Sequence, residues 1–192
     1  MNYSLVKVPE LLDKSFFEMN KKEAQAYLDW FLSIKEGRLE LLDKIVSKSN
    51  KEWVLDYKPS SLTPLYTWFK TVVTTRNKTE AEKQIEENKI TGLLKGHIDV
   101  GNETFTDETV SICSDIGMYF GEVLRKEKDL KWSFVLKPKR YAEYAQPILI
   151  KKGVQIDLNP RAIIENVARK ILDDTCREDE LVKLYNVWKT YF

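Results

Sequence analysis

The sequence predicts an α+β fold, mostly helical, with a small three-stranded, at least partly antiparallel sheet packed on one central helix. Three observations predict it. Several stretches repeat apolar residues at helical spacing, each opened by its own start signal. Three short apolar runs follow one another between residues 131 and 158, two of them joined by a turn. Ahead of these lies one helix-sized run, Thr106 to Lys128, with a broad apolar face and two internal glycines.

The elements can be justified in order. A short helix is expected between Glu10 and Met19, with Pro9 near its start. Asn20 followed by Glu23 is a capping pair. Ala24, Tyr27, Leu28, Phe31 and Ile34 then hold a helical period, Gly37 interrupts it, and Leu39, Leu42, Ile45 and Val46 resume it. This reads as one kinked helix or two. Trp53 to Tyr57 is ambiguous between strand and loop. Thr63-Pro64 reads as a cap with proline at the first helical position, followed by Leu65, Trp68, Phe69 and Val72. Thr79 and Glu82 form a second capping pair, opening the polar helix AEKQIEENK, an expected exposed connector. Residues 91–105 carry three glycines and no clean period. They are the expected connecting loop between a helical N-terminal part, residues 1–90, and an α+β C-terminal part, residues 106–192, the alternative being one compact domain overall.

In the central run Thr106 can cap the helix, with Asp107 and Glu108 placing negative charge where the helix dipole favours it. At about 100° per residue, Val110, Ile112, Cys113, Ile116, Tyr119, Phe120, Val123 and Leu124 share one side. Ser111, Ser114, Asp115, Met118, Glu122, Arg125 and Lys126 share the other. Gly117 and Gly121 each cost about 1 kcal/mol relative to Ala in a helix interior. Their presence predicts that a backbone or a bulky ring passes close by, or that a groove is left open for a ligand.

After this helix, Lys131 to Leu136, Pro147 to Lys151 and Val154 to Leu158 read as strands, with Lys152-Gly153 as the turn of a hairpin. Asn159-Pro160 caps and opens a helix carrying Ile163, Ile164, Val167, Ala168, Ile171 and Leu172. A last helix spans about Glu178 to Thr190.

Composition excludes whole classes of function. The chain has 192 residues, 43% of them hydrophobic, with five Trp, nine Tyr and eight Phe, so a full core is within reach. Net charge is +1, which gives no global electrostatic case for nucleic acid or an anionic membrane. No run approaches the roughly 18 apolar residues of a membrane span, and the N-terminus lacks the apolar run of a signal peptide. A cytoplasmic protein is expected. Cys113 falls on an apolar helix face, and no disulfide with Cys176 is expected in that compartment.

Catalytic motifs are lacking. There is no GxxxxGK[ST], GxGxxG or GxSxG, and no cofactor is expected. His97 is the single histidine; with Asp99 it offers two metal ligands and no third, so no metal site is expected. Asp115, Tyr119, Glu122 and Lys126 form a stripe along the central helix. Its two carboxylates admit an acid/base reading, but seven residues of helix separate them by about 10 Å. The plainer reading pairs Glu122 with Lys126 and gives Asp115 a neighbour from another element. Lys131, Lys137, Lys139, Arg140, Lys151 and Lys152 cluster around the strands with Trp132, Phe134, Tyr141 and Tyr144 interleaved. Charge and stacking there fit an acidic partner or, less well, a single-stranded nucleic acid. The alternative is inward aromatics with lysines guarding sheet edges.

The segments SDIGMYFGE, LKW, QPILI and LNP, with a final helix carrying LYNVW, resemble a recurrent group of uncharacterised bacterial proteins over about residues 107–190. The resemblance implies an architecture and no activity. A looser likeness, in size and composition, is to toxin-neutralising immunity proteins. The expectation is therefore a cytoplasmic protein-binding module without catalysis, of the immunity type, with a protein partner engaged through Trp132, Arg140, Tyr141 and Tyr144. The alternative is a hydrolase or transferase using Asp115 and Glu122 beside Tyr119.

Overall fold

The computed structural model describes residues 3–90 and 99–192. Among them are six α-helices and two small antiparallel sheets, of two and three strands, so the protein is mixed α+β and mostly helical.

Helix α1 (Lys21–Ser49) opens on a full capping box: the Asn20 side chain accepts from Lys22 and Glu23, and Glu23 accepts from the Asn20 N–H. It runs unbroken through Gly37, where a side chain would meet nothing within 4 Å. One glycine, at about 1 kcal/mol, does not outweigh the packed turns on either side of it. The helix expected between residues 10 and 19 is instead two short 3-10 turns, Glu10–Leu12 and Phe16–Glu18, within an otherwise irregular segment. A helix of ten residues is marginal without a packed stripe, and neither turn has a buried residue.

Trp53 to Tyr57 is loop. Helix α2 (Leu62–Phe69) starts earlier than Thr63-Pro64 suggests, because a 3-10 turn, Pro59–Ser61, feeds into it. Pro64 is tolerated there because the first N–H groups of a helix have no internal partner to lose. Strand β1 (Thr75–Asn77) pairs antiparallel with β2 (Glu103–Phe105), Thr75 opposite Phe105. Between them lies α3 (Glu80–Lys89), with its Thr79–Glu82 capping box formed. The ribbon joins the N-terminal part to the end of the region read as a connecting loop.

Helix α4 (Asp107–Lys128) is capped by Thr106, whose side chain accepts from the Thr109 N–H. Strands β3 (Lys131–Ser133), β4 (Ile148–Ile150) and β5 (Asp157–Leu158) form the antiparallel sheet in that order. The turn at Gly153 has φ +82°, which glycine adopts without steric cost. The first strand is half its expected length: beyond Ser133 only Val135 bridges, to Tyr144. Asn159 caps α5 (Pro160–Leu172), accepting from the Ala162 N–H, and α6 (Glu180–Lys189) ends the fold.

One hydrophobic cluster unites these elements. Leu42 of α1, Phe69 of α2, Phe120 of α4, Ile164 of α5 and Leu181 of α6 are all fully buried in it. Helix α4 is its axis, and this overturns the two-sided reading of that helix. Ser111, Asp115, Met118 and Glu122, assigned to the polar side, are buried, whereas Val110, assigned to the apolar side, is exposed. The physical reason is that α1 crosses the polar side and brings cations with it. Both glycines mark close approaches. A Cβ on Gly117 would stand 2.9 Å from the Arg161 Cα, and one on Gly121 would stand 2.7 Å from the Trp132 ring.

Candidate functional site

The three residues of the catalytic reading share one helix and serve three different anchors. Asp115 is fully buried. Its carboxylate accepts from Arg38 Nε at 2.8 Å, from Arg38 Nη2 at 2.7 Å and from the Tyr3 hydroxyl at 2.5 Å. Burial pushes the Asp115 carboxyl up, against the Arg38 guanidinium and the Tyr3 hydroxyl, which pull it down. All three donors point at carboxylate oxygens, which is the geometry of an ionised group. Burial, and then the Asp115 charge, drive the Tyr3 hydroxyl far above its ordinary value, so it stays a donor. The network ties the N-terminal segment, α1 and α4 together.

Glu122 lies two turns further on. It accepts from Lys35 at 2.8 Å, from Arg125 at 3.0 Å and from the Trp132 indole at 2.8 Å. The expected Glu122–Lys126 pair does not form; Lys126 sits 3.5 Å over the Tyr57 ring instead. Lys35 meets Glu122 while Arg38 meets Asp115, so α1 and α4 pass in opposite senses. Burial pushes the Glu122 carboxyl up, but Arg125, Lys35 and Trp132 together outweigh it and hold it below its ordinary 4.5. A carboxyl depressed in the folded state stabilises fully above its unfolded value and loses that stabilisation as the pH falls through the folded one. Glu122→Gln is therefore expected to cost about 2 kcal/mol at pH 7, and the gap from wild type should narrow as the pH falls below 4.5 and through the depressed folded value. Urea titrations across that range check it; a constant gap would contradict the assignment.

Tyr119 belongs to a third environment. Its hydroxyl shares a 2.5 Å hydrogen bond with Ser61 and accepts from the Tyr57 N–H at 3.1 Å. The ring packs edge-on to Trp53 and stacks on Tyr57. Burial pushes the phenol up to about 12. Tyr119 thus fastens the loop between α1 and α2 and makes no hydrogen bond to either carboxylate among the described residues.

The sequence reading missed the partners: Tyr3, Lys35 and Arg38. A signal for two of them was present. Phe31, Lys35, Arg38 and Leu42 fall at i, i+4, i+7 and i+11, so two cations occupy an otherwise apolar stripe of α1.

The binding candidates divide similarly. Trp132 on β3 is half-buried, seated on Gly121, edge-on to Phe31 and bonded to Glu122. Tyr144 is buried, stacked on Phe17. Tyr141 is half-buried and donates to Asp157 of β5; burial and that bond push its phenol up to about 12. Arg140 stands exposed on the loop between β3 and β4, together with Lys137, Pro138 and Lys139. None of these three cations forms a salt bridge among the described residues. Phe17, about half exposed, leans on the far end of the same loop.

Between the N-terminal segment, α1 and α4 lies a cavity of about 100 Å³, with Trp132 and Arg161 also in its lining. His97 falls outside the described residues; Asp99 accepts from the Gly101 N–H. Among the described residues no three His, Cys, Asp or Glu side chains gather to hold a metal ion, and no helix is long and apolar enough to cross a membrane. Comparison with protein-family models, curated proteins and solved structures found no match.

Proposed function

We propose that the protein is a non-catalytic protein-binding module whose contact surface is the basic loop 137–140, flanked by Phe17, and whose partner presents an acidic face. The observation that carries this reading is the loop itself. Three exposed cations stand in sequence proximity without a carboxylate among the described residues, beside an exposed aromatic ring. Lys78, Lys170 and Arg76, by contrast, are each matched with a carboxylate, that of Glu86, Glu180 and Glu82. An unmatched basic cluster around an aromatic anchor is the composition that steers and holds an acidic surface. The two carboxylates of the hydrolase reading point the same way, since Asp115 is neutralised by buried Arg38 and Glu122 by half-buried Lys35 and Arg125. Both cysteines are free thiols, which suits a cytoplasmic placement.

The test is co-purification of the tagged protein beside a Lys137→Glu, Lys139→Glu, Arg140→Glu variant and a Phe17→Ala variant. Wild type is expected to retain one stoichiometric protein partner in a salt-sensitive manner. Charge reversal should weaken that complex at least about tenfold, given that like charges across an interface cost several kcal/mol. Melting temperatures should stay close to wild type, because the three cations hold no side-chain bond in the fold. A partner retained undiminished by the charge-reversed protein, or one removed by nuclease, would overturn the proposal.

A further inference from the structure

Residues 3–19 cross the groove between α1 and α4 and are fastened at both ends. Tyr3 enters the Arg38–Asp115 network, the Val6 N–H donates to Ser111 Oγ at 3.0 Å, and Met19 is buried. Beneath this segment the side chains do not fill the space. The 100 Å³ left there is comparable with engineered cavities of about 150 Å³ that hold one benzene ring. Five aromatic residues, Phe16, Tyr27, Trp30, Phe31 and Trp132, stand in its lining together with Met118. Gly117 supplies no side chain to fill it, because α5 starts against its Cα side.

Among the polar residues of the lining are Tyr27 and Arg161. Tyr27 is only 7% exposed, and its hydroxyl makes no hydrogen bond among the described residues. Every fully sealed side-chain nitrogen or oxygen among those residues has a partner, so the Tyr27 hydroxyl is within reach of water, and Tyr27 lines the cavity. Arg161 lines the same cavity and meets Glu165 through Nε at 3.2 Å, and its Nη groups make no hydrogen bond among the described residues. Burial pushes the Tyr27 phenol up, the nearby Arg161 charge lowers it and the Asp13 charge raises it, with a net upward shift. A phenol donor and a guanidinium fork in the lining of one cavity with aromatic walls match a planar anion joined to a flat ring.

We infer that this cavity is a binding site for a small aromatic carboxylate, its ring among Phe16, Trp30, Phe31 and Trp132 and its carboxylate on Arg161 and Tyr27. Such a ligand satisfies both polar groups and occupies the void in one step. The site lies apart from loop 137–140, so either assignment can fail without the other.

Benzoate is the probe, with benzyl alcohol as its uncharged counterpart. The protein carries three methionines, so methyl-labelled methionine resolves the site directly. Benzoate is expected to move the Met118 methyl signal saturably, with Kd of roughly 0.1–1 mM for a ligand of that size. Benzyl alcohol should bind at least about tenfold more weakly, since it lacks the charge that Arg161 recognises. Arg161→Gln should weaken benzoate about tenfold and leave benzyl alcohol unchanged. Arg161 is partly exposed, so this variant should keep the wild-type melting temperature, and Tyr27→Phe provides a second, conservative loss. Absence of saturable binding, equal binding by Arg161→Gln, or a shift confined to Met19 would each overturn the assignment.

Discussion

Replacing Asp115 by alanine should remove about 3–5 kcal/mol of stability, the cost of leaving a buried cation without its partner. The size follows from where the three groups sit. Asp115 is fully buried and Arg38 is 9% exposed, so water cannot take over the guanidinium when the carboxylate goes. Arg38 donates twice to Asp115 and lies 5.5 Å from the centre of the Tyr3 ring, so the change also frees the Tyr3 hydroxyl and loosens the start of the chain. In urea the midpoint should fall by roughly 2 M for an m-value near 2 kcal/mol/M. The contrasting variant changes both partners, Asp115→Leu with Arg38→Met. Exchanging a whole buried pair for apolar groups of similar volume is often neutral or stabilising, so the double variant should be more stable than Asp115→Ala alone. Tyr3→Phe removes one hydrogen bond and should cost about 1 kcal/mol. A loss below about 1 kcal/mol for Asp115→Ala would mean that water reaches the guanidinium, and the network would then be an exposed one of small value.

That network also shows where the sequence stops being legible. Four start signals were local and survived intact: Asn20 with Glu23, Thr79 with Glu82, Thr106, and Asn159 before Pro160 each cap the helix expected of them, whereas Thr63-Pro64 was displaced by the Pro59–Ser61 turn that feeds into α2. A cap needs only residues within one turn, so no distant contact can revise it. The hairpin turn at Gly153 is of the same kind. What failed depended on partners far along the chain. Asp115 looks polar and exposed by periodicity because the cation that neutralises it lies 77 residues earlier. Strands β1 and β2, reading TRN and ETF, contain no alternation long enough to register; only their pairing makes them strands. The short helix expected at Glu10 to Met19 failed for the opposite reason, since propensity without a buried face does not hold ten residues together. The binding candidates were chosen by residue type alone. Residue type could not say that Tyr144 would stack on Phe17 from the other end of the chain and that Arg140 would stay free.

Substituting the two glycines of α4 tests the same helix from its other side. Gly117→Ala should destabilise the protein by about 1–3 kcal/mol net, although alanine is the better helix former by about 1 kcal/mol. The new methyl would lie 2.9 Å from the Arg161 Cα and 3.0 Å from its backbone nitrogen. Backbone cannot swing aside as a flexible side chain can, so α5 has to shift along its whole first turn. That turn carries the Asn159 cap and the Pro160 ring and leads into Ile164 and Val167, which enter the core. Gly121→Ala meets a different obstacle, the Trp132 ring at 2.7 and 2.8 Å with the Pro160 ring at 3.2 Å. The indole is rigid, is held by its bond to Glu122 and packs on Phe31, so its displacement breaks a charged hydrogen bond as well. The two obstacles share Pro160, so the double variant should lose a different amount from the sum of the two singles. Guanidinium denaturation of the three variants measures both the losses and their coupling. Stabilisation by Gly117→Ala would show that the α4–α5 contact yields to a methyl group, and helix propensity would then be the larger effect.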